Sequence, residues 1–247
     1  CFIKITVEHY FCGRPFSTNK SMRFTFYGQA CFMVEVAGKK LLFDPFITGN
    51  ELAKDIDVNS LQADYILVSH GHGDHVADLL AIAKNTNATV ICSPEVENWV
   101  NGKGYSNIIG MNMGLMKTEF GEVRMVIAGH SSSMPDGSYG GNPVGFVIKT
   151  AEGNFYYAGD TCLMLDMQLI PKYFAKLDFA LLPIGGHFTM NAEDAVIAAG
   201  FIECDKIIGV HFDTFGYIKI DHDAAMQAFK AAGKELILPT IGKTIDI

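Results

Sequence analysis

From Met22 onward the chain falls into a regular succession of apolar runs and turns. The segment MRFTFYGQACFMVEV alternates with the two-residue period of a half-buried strand, breaks at Gly28 and resumes as a second strand. Two blocks then share one design. ACFMVEVAGKKLLFDP reads as strand, Ala-Gly turn, strand and then Asp44. VGFVIKTAEGNFYYAGDT reads as strand, Glu-Gly turn, strand and then Asp160. This parallel predicts two related halves, each a mostly antiparallel sheet.

Helical spacing lies between the strands. HVADLLAIAK, from His75 to Lys84, predicts one helix. A second runs from Asn191 as N-cap to Gly200, and a third from Asp221 or Asp223 to Gly233. LILPT and GKTIDI close the chain as short strands. Helices interleaved with two β-rich halves predict an α/β (α+β) protein whose helices flank two packed sheets. The first 21 residues lack this regularity, so residues 1–21 read as an N-terminal extension and residues 22–247 as one domain. The competing reading makes FIKITVEHY an added edge strand. GHSSSMPDGSYGGNPVG is a long Gly/Ser-rich loop, a length usually reserved for function or disorder.

Composition narrows the class. With 49% hydrophobic and 19% charged residues in 247 positions, the chain is globular and long enough for a sizeable core. No apolar run approaches the ~18 residues of a membrane span, and no signal-peptide core is evident at the start. The net charge of −8 argues against a nucleic-acid partner. Six scattered cysteines with no CxxC pair point to free thiols in a reducing, cytoplasmic setting rather than to a cysteine metal site. Homo-oligomerisation stays open.

The candidate chemistry is concentrated in VSHGHGDHV. His70, His72, Asp74 and His75 follow a buried apolar strand, with Gly71 and Gly73 expected to let the backbone turn tightly between them. Imidazoles and carboxylates suit Zn²⁺, Mn²⁺ or Fe, and so many buried polar groups would otherwise each require a partner. Four further metal-capable residues also follow apolar strands: His130 after VRMVIAG, Asp160 after FYYAG, His187 after FALLPIGG and His211 after KIIGV. Strand ends that deliver such residues to one place build a site on a sandwich edge.

HGHGDH matches the HxHxDH signature of the metallo-β-lactamase superfamily, and the order His130, Asp160, His211 behind it matches that superfamily's ligand order. FTFYGQACFMVEV, LLFDPF, GDT, LPIGGHFTM and HFDTF further resemble the branch of metal-dependent hydrolases related to L-ascorbate-6-phosphate lactonase. The resemblance covers residues 22 to 247. It implies a four-layer αββα sandwich with the site at one edge. It also implies two divalent metal ions, Zn or Mn with Fe as a third option. His70, His72 and His130 would hold the first, Asp74, His75 and His211 the second, and Asp160 would bridge them. Relatives often carry His where this chain has Gln29, a position that is not a usual ligand. Oxygen-reducing members carry a carboxylate where this chain has His72, which favours hydrolysis over redox chemistry.

The mechanism so implied is attack by a hydroxide, held between two cations, on a carbonyl or phosphoryl centre of a small-molecule ester, lactone or phosphoester. Asp74 would also orient the hydroxide, and His187 would contact substrate or donate a proton to the leaving group. Asp44 would buttress a ligand imidazole. Ser131, Ser132 and Ser133 are candidates to line the pocket. His9, His222 and Trp99 read as capping or packing residues. The alternatives are a phosphodiesterase or nuclease on the same fold and a non-catalytic metal-binding protein.

Overall fold

The computed structural model describes residues 22–247, so the expected extension over 1–21 lies outside the described residues. The strands are β1 (Arg23–Gly28), β2 (Cys31–Val36), β3 (Lys39–Phe43), β4 (Tyr65–Leu67), β5 (Thr89–Cys92), β6 (Ile108–Gly110), β7 (Leu115–Lys117), β8 (Glu122–Ile127), β9 (Val144–Lys149), β10 (Asn154–Tyr157), β11 (Phe179–Pro183), β12 (Lys206–Val210), β13 (Glu235–Ile237) and β14 (Thr244–Asp246). The α-helices are α1 (Gly73–Val76), α2 (Leu79–Thr86), α3 (Pro94–Gly102), α4 (Ala192–Phe201) and α5 (His222–Ala231).

Two seven-stranded sheets result, in the orders β14-β1-β2-β3-β4-β5-β6 and β7-β8-β9-β10-β11-β12-β13. Both begin with three antiparallel pairings and end with three parallel ones. The two halves expected from the repeated hairpin are thus present, but each sheet is mixed rather than mostly antiparallel. Hairpins supply β1–β2, β2–β3, β7–β8 and β9–β10 on the antiparallel side; crossovers make the other side, because parallel neighbours cannot be joined by a tight turn. The β2–β3 hairpin closes through Ala37 and Gly38 at φ 52° and 73°, the pair of positive angles a two-residue turn demands.

The central strands are apolar on both faces, as strands covered on both sides must be. Along β3, Leu41 and Phe43 join the core between the sheets, where they pack with Phe146, Phe155, Tyr157 and Leu181 of the second sheet. Leu42 between them points outward and packs with Leu79, Ile82 and Val96 of α2 and α3. On the other side Ala195, Ala198 and Phe229 of α4 and α5 cover Ala180, Leu182 and Ile207. The layers are therefore αββα. Asn191 and Asp221 cap α4 and α5, accepting from Asp194 N at 2.9 Å and Ala224 N at 3.0 Å. No helix among the described residues is long and apolar enough to cross a membrane.

The expected helix over 75–84 is broken into α1 and α2. Asp78, at the break, is buried and accepts from the Ile47 and Thr48 amides at 2.6 and 2.9 Å. It ties the loop after β3 to the helix instead of continuing the turn.

Candidate metal centre and its cleft

The carboxyl ends of β3, β4, β10 and β12 open on one edge of the sandwich, and the loop after β8 reaches the same place. They carry Asp44, His70, Asp160, His211 and His130 respectively. The chain after His70 enters α1, which places Asp74 and His75 on one short turn of helix, with His72 just ahead of it. Gly71 does not turn the chain there. A Cβ at Gly71 would lie 2.5 Å from Met134 Sδ and 3.3 Å from Gly140 Cα, so the glycine admits the serine loop against the cluster; Gly73 has open space around it.

The ring nitrogens converge on one carboxylate oxygen. Asp160 Oδ2 lies 3.0 Å from His211 Nε2, 3.3 Å from His75 Nε2, 3.5 Å from His130 Nε2 and 4.0 Å from His70 Nε2. His70 Nε2 and His72 Nδ1 are 2.9 Å apart. Asp74 Oδ2 lies 3.5 Å from His75 Nε2 and 3.7 Å from His211 Nε2. Two triads present one donor atom each within 4.8 Å of one another: His70, His72 and His130, and Asp74, His75 and His211. These are the groupings expected from the resemblance, with Asp160 between them.

Asp44 stands behind the cluster, fully buried. It accepts from the Ser69 amide at 2.7 Å, from the Ser69 hydroxyl, from the Tyr157 hydroxyl and from His75 Nδ1 at 2.8 Å. The His75 bond keeps the proton on Nδ1 and leaves Nε2 aimed at Asp160. Ser69 Oγ donates its one proton to Asp44 and so accepts from His70 Nδ1, at 3.0 Å, which leaves His70 Nε2 with a lone pair. Asp44, His70 and His75 form a third triad of donor atoms within the same distance, but its Nδ1 and carboxylate atoms are already hydrogen-bonded. Burial, then Asp44, pushes the Tyr157 phenol well above its ordinary pKa, so it stays a donor.

Burial holds the His70 imidazole well below its ordinary pKa, and it lowers His72 and His130 as well. His75 moves the other way: burial opposes its charge, yet the Asp160, Asp74 and Asp44 carboxylates lift it well above the ordinary value. His211 rises to about 9 against burial, chiefly through Asp160. Against burial, which favours the neutral acid, His211 and His75 hold Asp160 ionised, and His75 and His211 do the same for Asp74.

His75 Nε2 and Asp160 Oδ1 are buried and make no hydrogen bond. Leaving such atoms unpaired costs roughly 1–3 kcal/mol each. His70, His72 and His130 are neutral imidazoles, and the carboxylates that hold protons on His75 and His211 are the charges a first-row divalent cation would take up as those two rings give up their Nε2 protons to bind it. The residues present therefore fit a pair of such cations.

Above the cluster lies a cleft of about 850 Å³. Its floor is His72, Asp74, His130, Asp160 and His211; the rest of its lining is Ser131, Phe188, Thr214, Phe215, Gly216 and Tyr217. His187 is exposed and lies outside this lining. Gly186 and His187 both take positive φ, 70° and 57°, which swings the ring off the edge to stack on Tyr217 at 5.0 Å. Of the three serines, Ser131 lines the cleft, Ser132 Oγ accepts from the Gly71 amide at 3.1 Å, and Ser133 bridges to Tyr139. His222 bonds Asp213 at 2.6 Å, and Trp99 in α3 donates to Asp136 at 2.7 Å. The aromatic wall was not among the residues singled out from the sequence. Its signal was adjacency: Phe188 follows His187, and Phe215 and Tyr217 follow His211 within six positions.

Comparison with known proteins places this geometry. Residues 23–211 match the family model of the Beta-lactamase superfamily domain. A UPF0173 metal-dependent hydrolase of Flavobacterium johnsoniae is 54% identical over 226 residues, covering 92% of this chain and 100% of that protein. Another, from Christiangramia forsetii, is 52% identical over 227 residues with the same coverage. Among solved structures, Igni18, a novel metallo hydrolase from the hyperthermophilic archaeon Ignicoccus hospitalis, matches with a TM-score of 0.83 at 31% identity, over 92% of this chain and 99% of that one. The chain belongs to the beta-lactamase superfamily and, within it, to the UPF0173 metal-dependent hydrolases.

Proposed function

We propose that this metal-dependent hydrolase uses two divalent cations, Zn²⁺ or Mn²⁺, to cleave an ester, lactone or phosphoester bond of a small molecule. In this reading His70, His72 and His130 would hold one cation, Asp74, His75 and His211 would hold the other, and Asp160 would serve both. The observation that carries it is the convergence of four imidazole Nε2 atoms on Asp160 Oδ2 within 4.0 Å. When bound, such cations bring the pKa of water towards neutrality and offset charge developing on the reacting oxygen.

The chain's own residues supply position. Asp44 and Ser69 set the tautomers of His75 and His70, so that both Nε2 atoms face the cluster. Asp160 is almost fully buried, whereas the Asp74 side chain is a quarter exposed and lines the cleft. Asp74 is thus the carboxylate able to orient an attacking water towards substrate. His187, stacked on Tyr217 outside the lining, acts on substrate only through that ring.

The test is metal content per chain on protein purified without added metal or chelator, followed by turnover assays with a lactone panel and a chromogenic phosphodiester. About two transition metals per chain and hydrolysis of either class uphold the reading; no metal uptake on reconstitution overturns it.

A further inference from the structure

We infer that the substrate presents a neutral, apolar arm to an aromatic wall of the cleft. This rests on the hydrolase reading above and narrows it.

Among the described residues, none lining the cleft is Lys or Arg. The proposed cations can themselves hold a scissile carbonyl or phosphate, but a phosphate on the substrate's outer arm needs guanidinium forks, ammonium groups or helix N-termini, and this wall offers two hydroxyls, Ser131 and Thr214. What it offers instead is carbon. Phe188, Phe215 and Tyr217 line the cleft while 49%, 38% and 75% exposed. Clustered exposed aromatics beside a polar cluster mark a surface that binds something apolar.

The wall is also built. Tyr217 stacks on His187 at 5.0 Å and meets Phe188 edge-on at 6.4 Å. Phe215 lies 6.2 Å from Phe46, in the loop after β3. The loop that carries Phe215 and Tyr217 is closed by Asp213. Its amide donates to Ile218 O at 2.8 Å, its Oδ1 accepts from the Ile220 amide at 3.1 Å, and its Oδ2 meets His222 Nε2 at 2.6 Å. A pre-positioned aromatic face loses little freedom on binding.

The experiment has two readouts. The first is calorimetric titration of the metal-free chain with 4-phenylbutanamide, which is neutral and carries no phosphate, and with phenyl phosphate. The amide should bind more tightly than phenyl phosphate, and the double variant Phe188→Ala/Tyr217→Ala should weaken it about tenfold. Both side chains are exposed, so the substitutions spare the core. The second readout is turnover by the metal-loaded enzyme of γ-lactones with alkyl tails of increasing length. kcat/KM should rise about fourfold per methylene over the first few carbons, mainly through KM, and the double variant should flatten the series. Tighter binding of phenyl phosphate, an unaffected double variant or a flat wild-type series would overturn the apolar arm. Binding of the amide with no turnover of any lactone or ester would uphold the apolar wall and overturn only the ester and lactone options of the hydrolase reading.

Discussion

Gln29 Nε2 donates to Asp74 Oδ2 at 2.9 Å, and the Gln29 carbonyl accepts from the His211 amide at 2.7 Å. One residue therefore steadies two of the three candidate ligands of a single cation. It does so from the tight turn between β1 and β2, at φ 54°, an angle that only an over-determined position keeps. A His at this position would also carry a ring N–H able to donate to Asp74.

Gln29→Ala should weaken one of two cation sites by about tenfold and leave the other near wild type, since partners of ligands typically matter by 10–100-fold. Gln29→His should keep two cations per chain. Stepwise metal titration followed by calorimetry separates the sites; equal weakening of both, or of neither, would contradict this placement.

Asp44→Asn should lose far more stability than Tyr157→Phe. The Asp44 carboxylate is buried with four donors and an amide cannot accept from all of them, so we expect a loss of about 3–5 kcal/mol. Tyr157→Phe removes one bond to that carboxylate and should cost about 1.5–3 kcal/mol. Urea unfolding of the two variants gives the comparison.

Gly159→Ala should destabilise by about 1–3 kcal/mol and reduce metal uptake together. Gly159 has φ 64°, and a Cβ there would sit 2.5 Å from the Val144 carbonyl oxygen and 3.2 Å from Ser69 Cβ. The backbone must shift, and Asp160 is the next residue. A variant with wild-type melting temperature and metal content would refute the argument.

Chelation should lower the melting temperature, and Zn²⁺ or Mn²⁺ should restore it. A cation that binds only the folded chain stabilises it by about 2.7 kcal/mol at a hundredfold excess over Kd. His70→Ala and Asp160→Ala should abolish the metal-dependent rise together with activity. Thermal scans with and without chelator read this directly.

Much of this was legible in sequence. The two hairpins end at Asp44 and Asp160 as their turn residues predict, and α4 and α5 start at the caps their sequences carry. Periodicity could not separate parallel from antiparallel pairing, because an apolar run buried on both faces looks the same in either. The break at Asp78 was hidden because its partners, Ile47 and Thr48, lie about thirty positions away. Tyr157 was hidden as a partner of Asp44 for the same reason, across 113 positions and from the opposite sheet. His187 follows a strand just as His211 does, but two preceding glycines lengthen its loop and carry the ring past the edge.

The seven candidate ligands are divided between the layers. His70, His72, Asp74 and His75 leave the first sheet, and His130, Asp160 and His211 leave the second. Neither layer holds a complete bridged pair by itself. Occupancy is then a gauge of whether the sandwich is shut: sheets that have slid apart by an ångström or two would keep their strands and helices, yet surrender their cations. In a folding or unfolding experiment the metal signal would follow the docking of the two halves rather than the formation of either one.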